Sequence, residues 1–250
     1  MSRNEYPAKS RYSGSVAADY NSSRTHSSRW WVEQKIVLDI ASGLDKHSSV
    51  LDIPVGTGRF LTEFHDLGLE VTGADISEDM LAEASALGVA SMDSVNLVKA
   101  DLENLPFDDD QFDAAFCVRF LNWVPETVMS VVIAELARVT KKNVVLHIRT
   151  TRQATVREIA ARAGSNILKT VTPGGAKKTI KSLARKVLRR NTARAAPGYV
   201  LHSQEGVEKA IADAGLKIER RIEVNTRISI RNRIAAPQYF YSAVPRDISL

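Results

Sequence analysis

Apolar positions along this chain fall into blocks of two different periods. Trp30, Trp31, Ile36, Val37, Leu38 and Ile40, with Gln34 among them, suit a helix that ends near Gly43, and Ser49 to Ile53 then reads as a short buried strand. Short apolar runs predict strands at 49–53, 70–75 (EVTGAD), 95–99 (VNLVK), 112–117 (FDAAFC) and 143–149 (NVVLHIR). Helical spacing predicts helices near 58–67, 78–87 and 125–141. A later helix over 203–214 has Ser203 as its N-cap and Gly215 as its stop, and the runs LKIERRIEV and QYFYSAV follow as strands placed to form an antiparallel edge.

Strands alternating with helices, several of them continuously apolar, mean a mostly parallel sheet covered on both faces. In a doubly wound sheet of this kind, ligands bind beyond the carboxyl ends of the strands, and the first strand-turn-helix brings backbone closest to them. That turn is LDIPVGTGRF, residues 51–60, with Gly56 and Gly58 lacking side chains and Asp52 at the strand end, able to orient the turn or to receive an ammonium. Asp75 closes the next strand, where a carboxylate can accept two hydroxyl hydrogen bonds from a ribose. Asp101, just past the third strand in KADLENLPF, can accept from an exocyclic amine while the Leu102 N–H meets a ring nitrogen. Together the three positions read an adenosine.

LDIPVGTGRF, GADISEDMLAEA and VKADLENLPFDDDQFDAAFCVRFLNWV resemble, in order and spacing, the cofactor-binding motifs of class I S-adenosylmethionine-dependent methyltransferases, the broad group that includes quinone-biosynthesis enzymes. The resemblance is close over about 49–150 and loose beyond. It implies a Rossmann-like, doubly wound, seven-stranded α/β sheet, mostly parallel with the last strand antiparallel, carrying a helical lid insertion at about 151–201 in a domain of residues 29–250. It places the methionine part of S-adenosyl-L-methionine against Asp52, Pro54, Gly56 and Gly58, the ribose on Asp75, and the adenine between Ile76 and Leu102 beside Asp101. Arg119 falls near the methionine end or the acceptor, and no metal is implied. The family pattern has glycine at position 54. Proline keeps the carbonyl used there and loses an N–H, so Pro54 is expected to stiffen the turn and leave binding intact. A nicotinamide dinucleotide is the weaker reading, because its fingerprint needs a third glycine at position 61, where this chain has Leu61.

Composition sharpens the picture at one place. The net charge is +5, yet between Ser165 and Gly198 there are nine basic residues and no acidic one, so the rest of the chain is mildly acidic. Within that segment AKKTIKSLARKVLRR, residues 176–190, spaces Ile180, Leu183, Ala184, Val187 and Leu188 as one face of a basic amphipathic helix. Three readings stand: a solvated face on a packed helix, docking on an anionic membrane surface, or contact with a phosphorylated, acidic or RNA substrate. The single cysteine, Cys117, fits a reducing cytoplasm, with peripheral membrane attachment if the second reading holds. No apolar run of about 18 residues is present and the N-terminus lacks the apolar centre of a signal peptide. Residues 1–28 read as a tail or as a lid in which Tyr12, Tyr20 and Arg24 close over the methionine end.

Methyl transfer from a sulfonium is an in-line displacement that needs a general base only if the acceptor must lose a proton. The candidates are His147, in the fifth strand, and His202, just before the Ser203 cap; each also reads as a packing or capping histidine. RFLNWVPE, residues 119–126, stands where an amino-methylating enzyme acting on nucleic-acid bases shows an Asn/Asp-Pro-Pro-aromatic motif, so that chemistry is unsupported. The expectation is a methyltransferase acting on a small-molecule, lipid or glycan-intermediate acceptor. The alternatives are an RNA or protein methyltransferase docking through the basic insertion, and a cofactor-binding protein of the same fold without turnover.

Overall fold

A computed structural model describes residues 28–89, 92–151, 198–224 and 237–246. The N-terminal tail, nearly all of the insertion and the basic segment 176–190 lie outside the described residues.

Helix α1 (Ser28–Ala41) precedes the sheet. The alternating part runs β1 (Ser49–Asp52), α2 (Leu61–Asp66), β2 (Glu70–Asp75), α3 (Glu78–Ser85), β3 (Val95–Lys99), β4 (Phe112–Cys117), a 3-10 turn (Leu121–Trp123), α4 (Glu126–Arg138) and β5 (Thr140–Thr151). After the insertion come β6 (His202–Ser203), α5 (Gln204–Asp213), β7 (Leu216–Glu223) and β8 (Gln238–Pro245). The strand order is β3-β2-β1-β4-β5-β8-β7, with the two-residue β6 pairing off this path beside β5. Strands β1 to β5 pair in parallel, and β8 runs antiparallel to both β5 and β7. The sheet is thus the expected one, with β6 as an added eighth strand. The chain leaves β1 toward β2 and β3, then returns to its other side at β4, so strand order reverses at β1/β4.

Each strand divides its side chains between two cores, as a period of two requires. Leu51, Ala115, Cys117, Leu146 and Tyr241 pack under α4 and α5, while Val50, Phe116, Val145 and Phe240 pack under α1 and α2. Because Val145 faces α1, so does His147 two residues later, an orientation that matters below. Ser77 caps α3 by accepting from the Met80 N–H, and Ser203 caps α5 by accepting from the Gly206 N–H, the latter as the sequence indicates.

Two boundaries differ from the sequence reading. Helix α2 begins at Leu61, not near 58, because Gly58 sits at φ +81°, outside helical geometry. Helix α4 stops at Arg138 and β5 starts at Thr140, not near 143. Thr140 pairs with Phe112 across a register shift, and its hydroxyl donates to the Leu136 carbonyl at 2.6 Å, satisfying a carbonyl of the last helical turn.

Candidate functional site

The turn after β1 is tied to both neighbouring strands. The Ile53 N–H donates to Phe116 O at 2.9 Å and the Val55 N–H to Ala74 O at 2.8 Å, with a cis peptide between Ile53 and Pro54. Its two glycines are fixed for different reasons. Gly56, at φ +55°, would place a Cβ in open space, whereas a Cβ on Gly58 would lie 2.9 Å from Leu87 Cδ1, 3.1 Å from Leu61 Cδ1 and 3.2 Å from Ala84 Cβ. Gly56 therefore presents bare backbone to whatever lies beyond the turn, and Gly58 lets α3 approach.

Asp75 braces this turn from the next strand. Its Oδ2 accepts from the Gly56 N–H at 2.9 Å and its Oδ1 from the Ser77 N–H at 3.0 Å, which still leaves lone pairs for further donors. Burial raises its pKa, against the hydrogen bonds from Ser77, Gly56 and Ile76. Asp52 is more deeply enclosed, and its Oδ2 has no hydrogen-bond partner. Burial chiefly, aided by the nearby Asp75 and opposed by Arg59, pushes its pKa up to about 8. Asp101 folds back to accept from the Glu103 N–H at 3.0 Å. Ile76 is 36% exposed, an apolar side chain left open beside Asp75, while the Leu102 side chain is buried in the core.

Above β1 and β4 the first helix contributes a group that the sequence reading passed over. Glu33 is fully buried, on the same helical face as Trp30, Val37 and Ile40, and that carboxylate on an apolar face was the available signal. Its Oε2 lies 3.2 Å from Arg59 Nη1 and 3.6 Å from Arg119 Nη1. Arg59 is held further by Gln34 Oε1 at 2.9 Å and the Trp30 carbonyl at 2.6 Å, and its guanidinium stacks 3.5 Å from the Trp30 ring centre. Arg119, at φ +65°, lies 5.7 Å from the same ring. His147 sits beneath, 4.6 Å from the Phe240 ring, with Nε2 3.8 Å from Glu33 Oε1 and neither ring nitrogen hydrogen-bonded. Burial lowers its pKa to about 4, with Glu33 opposing and the arginines adding, so the ring is neutral at physiological pH.

The far rim is held by Asn122. Its amide donates to the carbonyls of Arg149 (2.7 Å) and Val200 (2.8 Å), and its oxygen accepts from the Arg149 N–H (2.7 Å). This seats Tyr199 against Trp123, ring centres 5.0 Å apart and edge to face, with the Arg149 guanidinium 5.9 Å from the Tyr199 ring. His202 is separate from this group: its Nε2 is 2.8 Å from the Leu121 carbonyl, and the ring is buried. That geometry suits a strut fastening β6 to the turn after β4. The structure thus brings Asp52, Gly56, Asp75, Ile76 and Asp101 to one stretch of the carboxyl edge, places Arg119 and His147 next to it around Glu33, and leaves His202 apart.

A model described as a methyltransferase domain matches residues 50–143. The chain is 32% identical over 115 residues to a malonyl-[acyl-carrier protein] O-methyltransferase from Hamiltonella defensa, covering 46% of this chain and 42% of that protein. It is 28% identical to the chloroplastic magnesium protoporphyrin IX methyltransferase of Arabidopsis thaliana over 75% of this chain and 52% of that one. The chain therefore spans about half or less of the length of these curated relatives. The crystal structure of magnesium protoporphyrin IX methyltransferase from Synechocystis PCC 6803 with bound S-adenosylhomocysteine superposes with a TM-score of 0.59 at 19% identity, covering 87% of this chain and 83% of that one. With the strand order reversing at β1/β4 and the three acidic strand ends in place, the matched stretch identifies residues 50–143 as a methyltransferase domain of the class I, S-adenosylmethionine-dependent family.

Proposed function

We propose that the protein transfers a methyl group from S-adenosyl-L-methionine to a small-molecule, lipid or glycan-intermediate acceptor. The observation that carries this reading is the buried, unpartnered Oδ2 of Asp52 beside the open backbone of Gly56, continued by Asp75 and Asp101. An orphaned carboxylate oxygen in a buried site invites a cationic donor, and the methionine ammonium is one. Asp75 has capacity left for the ribose hydroxyls, Asp101 faces the exocyclic amine, and exposed Ile76 offers the adenine an apolar surface. When bound, the sulfonium supplies an electrophilic methyl group. The chain's own contribution is to orient that group and the acceptor and to exclude water. The relatives are named for acyl-carrier-linked and porphyrin substrates, which favours such acceptors over nucleic acid.

Of the two candidate bases, His147 is neutral and free to accept a proton but deeply buried, and His202 already spends a ring nitrogen on Leu121. The reading therefore leans on positioning. Calorimetric titration with S-adenosylhomocysteine, and with NAD in parallel, tests it. The expected result is binding of the former, none of the latter, and a loss of at least about tenfold, or 1.4 kcal/mol, in Asp75→Ala. Failure of S-adenosylhomocysteine to bind the wild-type protein would overturn the reading.

A further inference from the structure

Arg149 and Arg29 differ from the other arginines near Glu33 in having no carboxylate partner among the described residues. Arg59 takes the close contact to Glu33 and Arg119 a longer one, whereas among the described residues neither Arg149 nor Arg29 forms an ion pair. Arg149 is instead aimed by neutral groups. Asn122 fixes its backbone from both sides, Tyr199 lies under its guanidinium, and the Gln238 amide, turned to present its oxygen, accepts from Nε and Nη2 at 3.2 Å each. These contacts set a direction without neutralising the charge. Arg119 and Arg149 are both partly exposed, at the ends of adjacent strands, and Trp30 and Tyr199 flank them with aromatic rings.

Arg29, a partly exposed residue of α1, is coupled electrostatically to the same groups. Its pKa is lowered by burial and then by the positive charges of Arg149 and Arg119, with Glu33 and Tyr199 opposing, so these groups share one electrostatic neighbourhood. Arg59 and Arg119 thus contact one buried carboxylate, Glu33, while Arg29 and Arg149 add positive charge to the same neighbourhood. Such an excess is stable only at a partly solvated rim or against an anion from outside.

We propose that Arg119 and Arg149, with Arg29 coupled to them, receive an anionic group carried by the methyl acceptor, a carboxylate or a phosphate, and that the partly exposed Tyr199 packs against the part of the acceptor next to it, with the buried Trp30 ring backing Arg119. Guanidinium forks bind both anions bidentately, and the Tyr199 ring selects a planar or apolar body. This deepens the methyltransferase reading and rests on it for the word acceptor; the anion site itself is defined by residues separate from Asp52, Asp75 and Asp101.

The test uses the full-length protein saturated with S-adenosylhomocysteine and three probes of one shape: benzoate, phenyl phosphate and neutral benzamide. Quenching of tryptophan fluorescence reads occupancy, since Trp30 and Trp123 both border the site. The expected result is that at least one anion binds about tenfold or more tighter than benzamide, that added salt weakens it, and that Arg149→Gln loses about tenfold in anion affinity while S-adenosylhomocysteine affinity stays within about twofold. Arg29→Gln should repeat the pattern, which guards against a misfolded single variant. Equal binding of benzamide and the anions, or no anion binding at all, would overturn the proposal. So would a loss of S-adenosylhomocysteine affinity in both variants as large as the loss for the anion, because the arginines would then serve the cofactor's own carboxylate. If S-adenosylhomocysteine fails to bind the wild type, the cofactor reading falls, and the same titrations on the free protein still decide the anion site.

Discussion

From β3 to β1 the strands end in carboxylates, Asp101, Asp75 and Asp52; from β4 to β5 they end in guanidiniums, Arg119 and Arg149. The two stretches share one edge of one sheet and meet at the point where strand order reverses. On the acidic side the charges are spent on backbone: Asp75 and Asp101 brace turns, and of these three aspartates Asp52 alone keeps a buried oxygen without a hydrogen-bond partner among the described residues. On the basic side the charges are spent on one buried glutamate and on aromatic rings. The difference teaches that the first stretch suits hydroxyls, an amine and an ammonium, while the second suits an anion, so a ligand and a co-ligand of opposite local charge can lie side by side.

The sharpest way to break the comparison is to remove Glu33, the acid on the basic side. Glu33→Gln leaves Arg59, itself almost wholly buried, without its carboxylate. We expect a loss of about 3–5 kcal/mol in urea denaturation. The double variant Glu33→Gln/Arg59→Met should be closer to wild type, because it removes the buried charge along with its partner.

Next comes the brace of the basic rim. Asn122→Ala removes three hydrogen bonds to the backbone of Arg149 and Val200 and should cost about 2–3 kcal/mol, with a drop in Trp123 and Tyr199 near-ultraviolet dichroism at unchanged far-ultraviolet signal. On the acidic side, Gly58→Ala should cost about 2–3 kcal/mol in stability, through contact with Leu87, Leu61 and Ala84 as well as its positive φ. Gly56→Ala should cost only about 1 kcal/mol, from φ alone, and should instead weaken S-adenosylhomocysteine binding in calorimetry.

A further effect is in pH. The folded pKa of Asp52, about 8, lies above its ordinary 3.8, so between those values the folded state binds the extra proton and stability falls as pH rises. His147 runs the other way. Its folded value of about 4 lies below 6.5, so the unfolded state binds the extra proton and stability rises across that window. The two trends oppose each other from about pH 4 to 6.5, and Asp52 acts alone from 6.5 to 8. Asp52→Asn should therefore abolish the decline between pH 6.5 and 8 in chemical denaturation. In the wild type, binding a ligand ammonium beside Asp52 should release up to about one proton at pH 7, read as a dependence of the calorimetric enthalpy on buffer ionisation.

The acidic side was legible in the sequence because it is built by local rules. A carboxylate at or just past the end of each of three neighbouring strands, and a glycine turn after the first, are contiguous motifs whose register follows from strand period. The basic side was mostly illegible, since it joins Glu33, Arg59, Arg119, His147 and Arg149 from four separate elements. Arg119 and His147 were found singly, but that both approach Glu33 depends on how α1 lies over β4 and β5, which periodicity does not encode. The α4/β5 boundary was missed for a related reason: Thr140 to Lys142 fit the helical period, and the pairing of Thr140 with Phe112 overrides it.

The clasp between β5 and β6 has a consequence for how such a chain can change. Thr150 and Thr151 pair in register with His202 and Ser203, so the stretch between them starts and ends on neighbouring strands about 4.8 Å apart. For a segment whose ends are already pinned together, doubling its length adds only about 0.6 kcal/mol of closure cost. The sheet and its acidic edge can thus stay fixed while that segment is lengthened, shortened or exchanged, which makes it the natural place for descendants of one ancestral domain to diverge in what they accept.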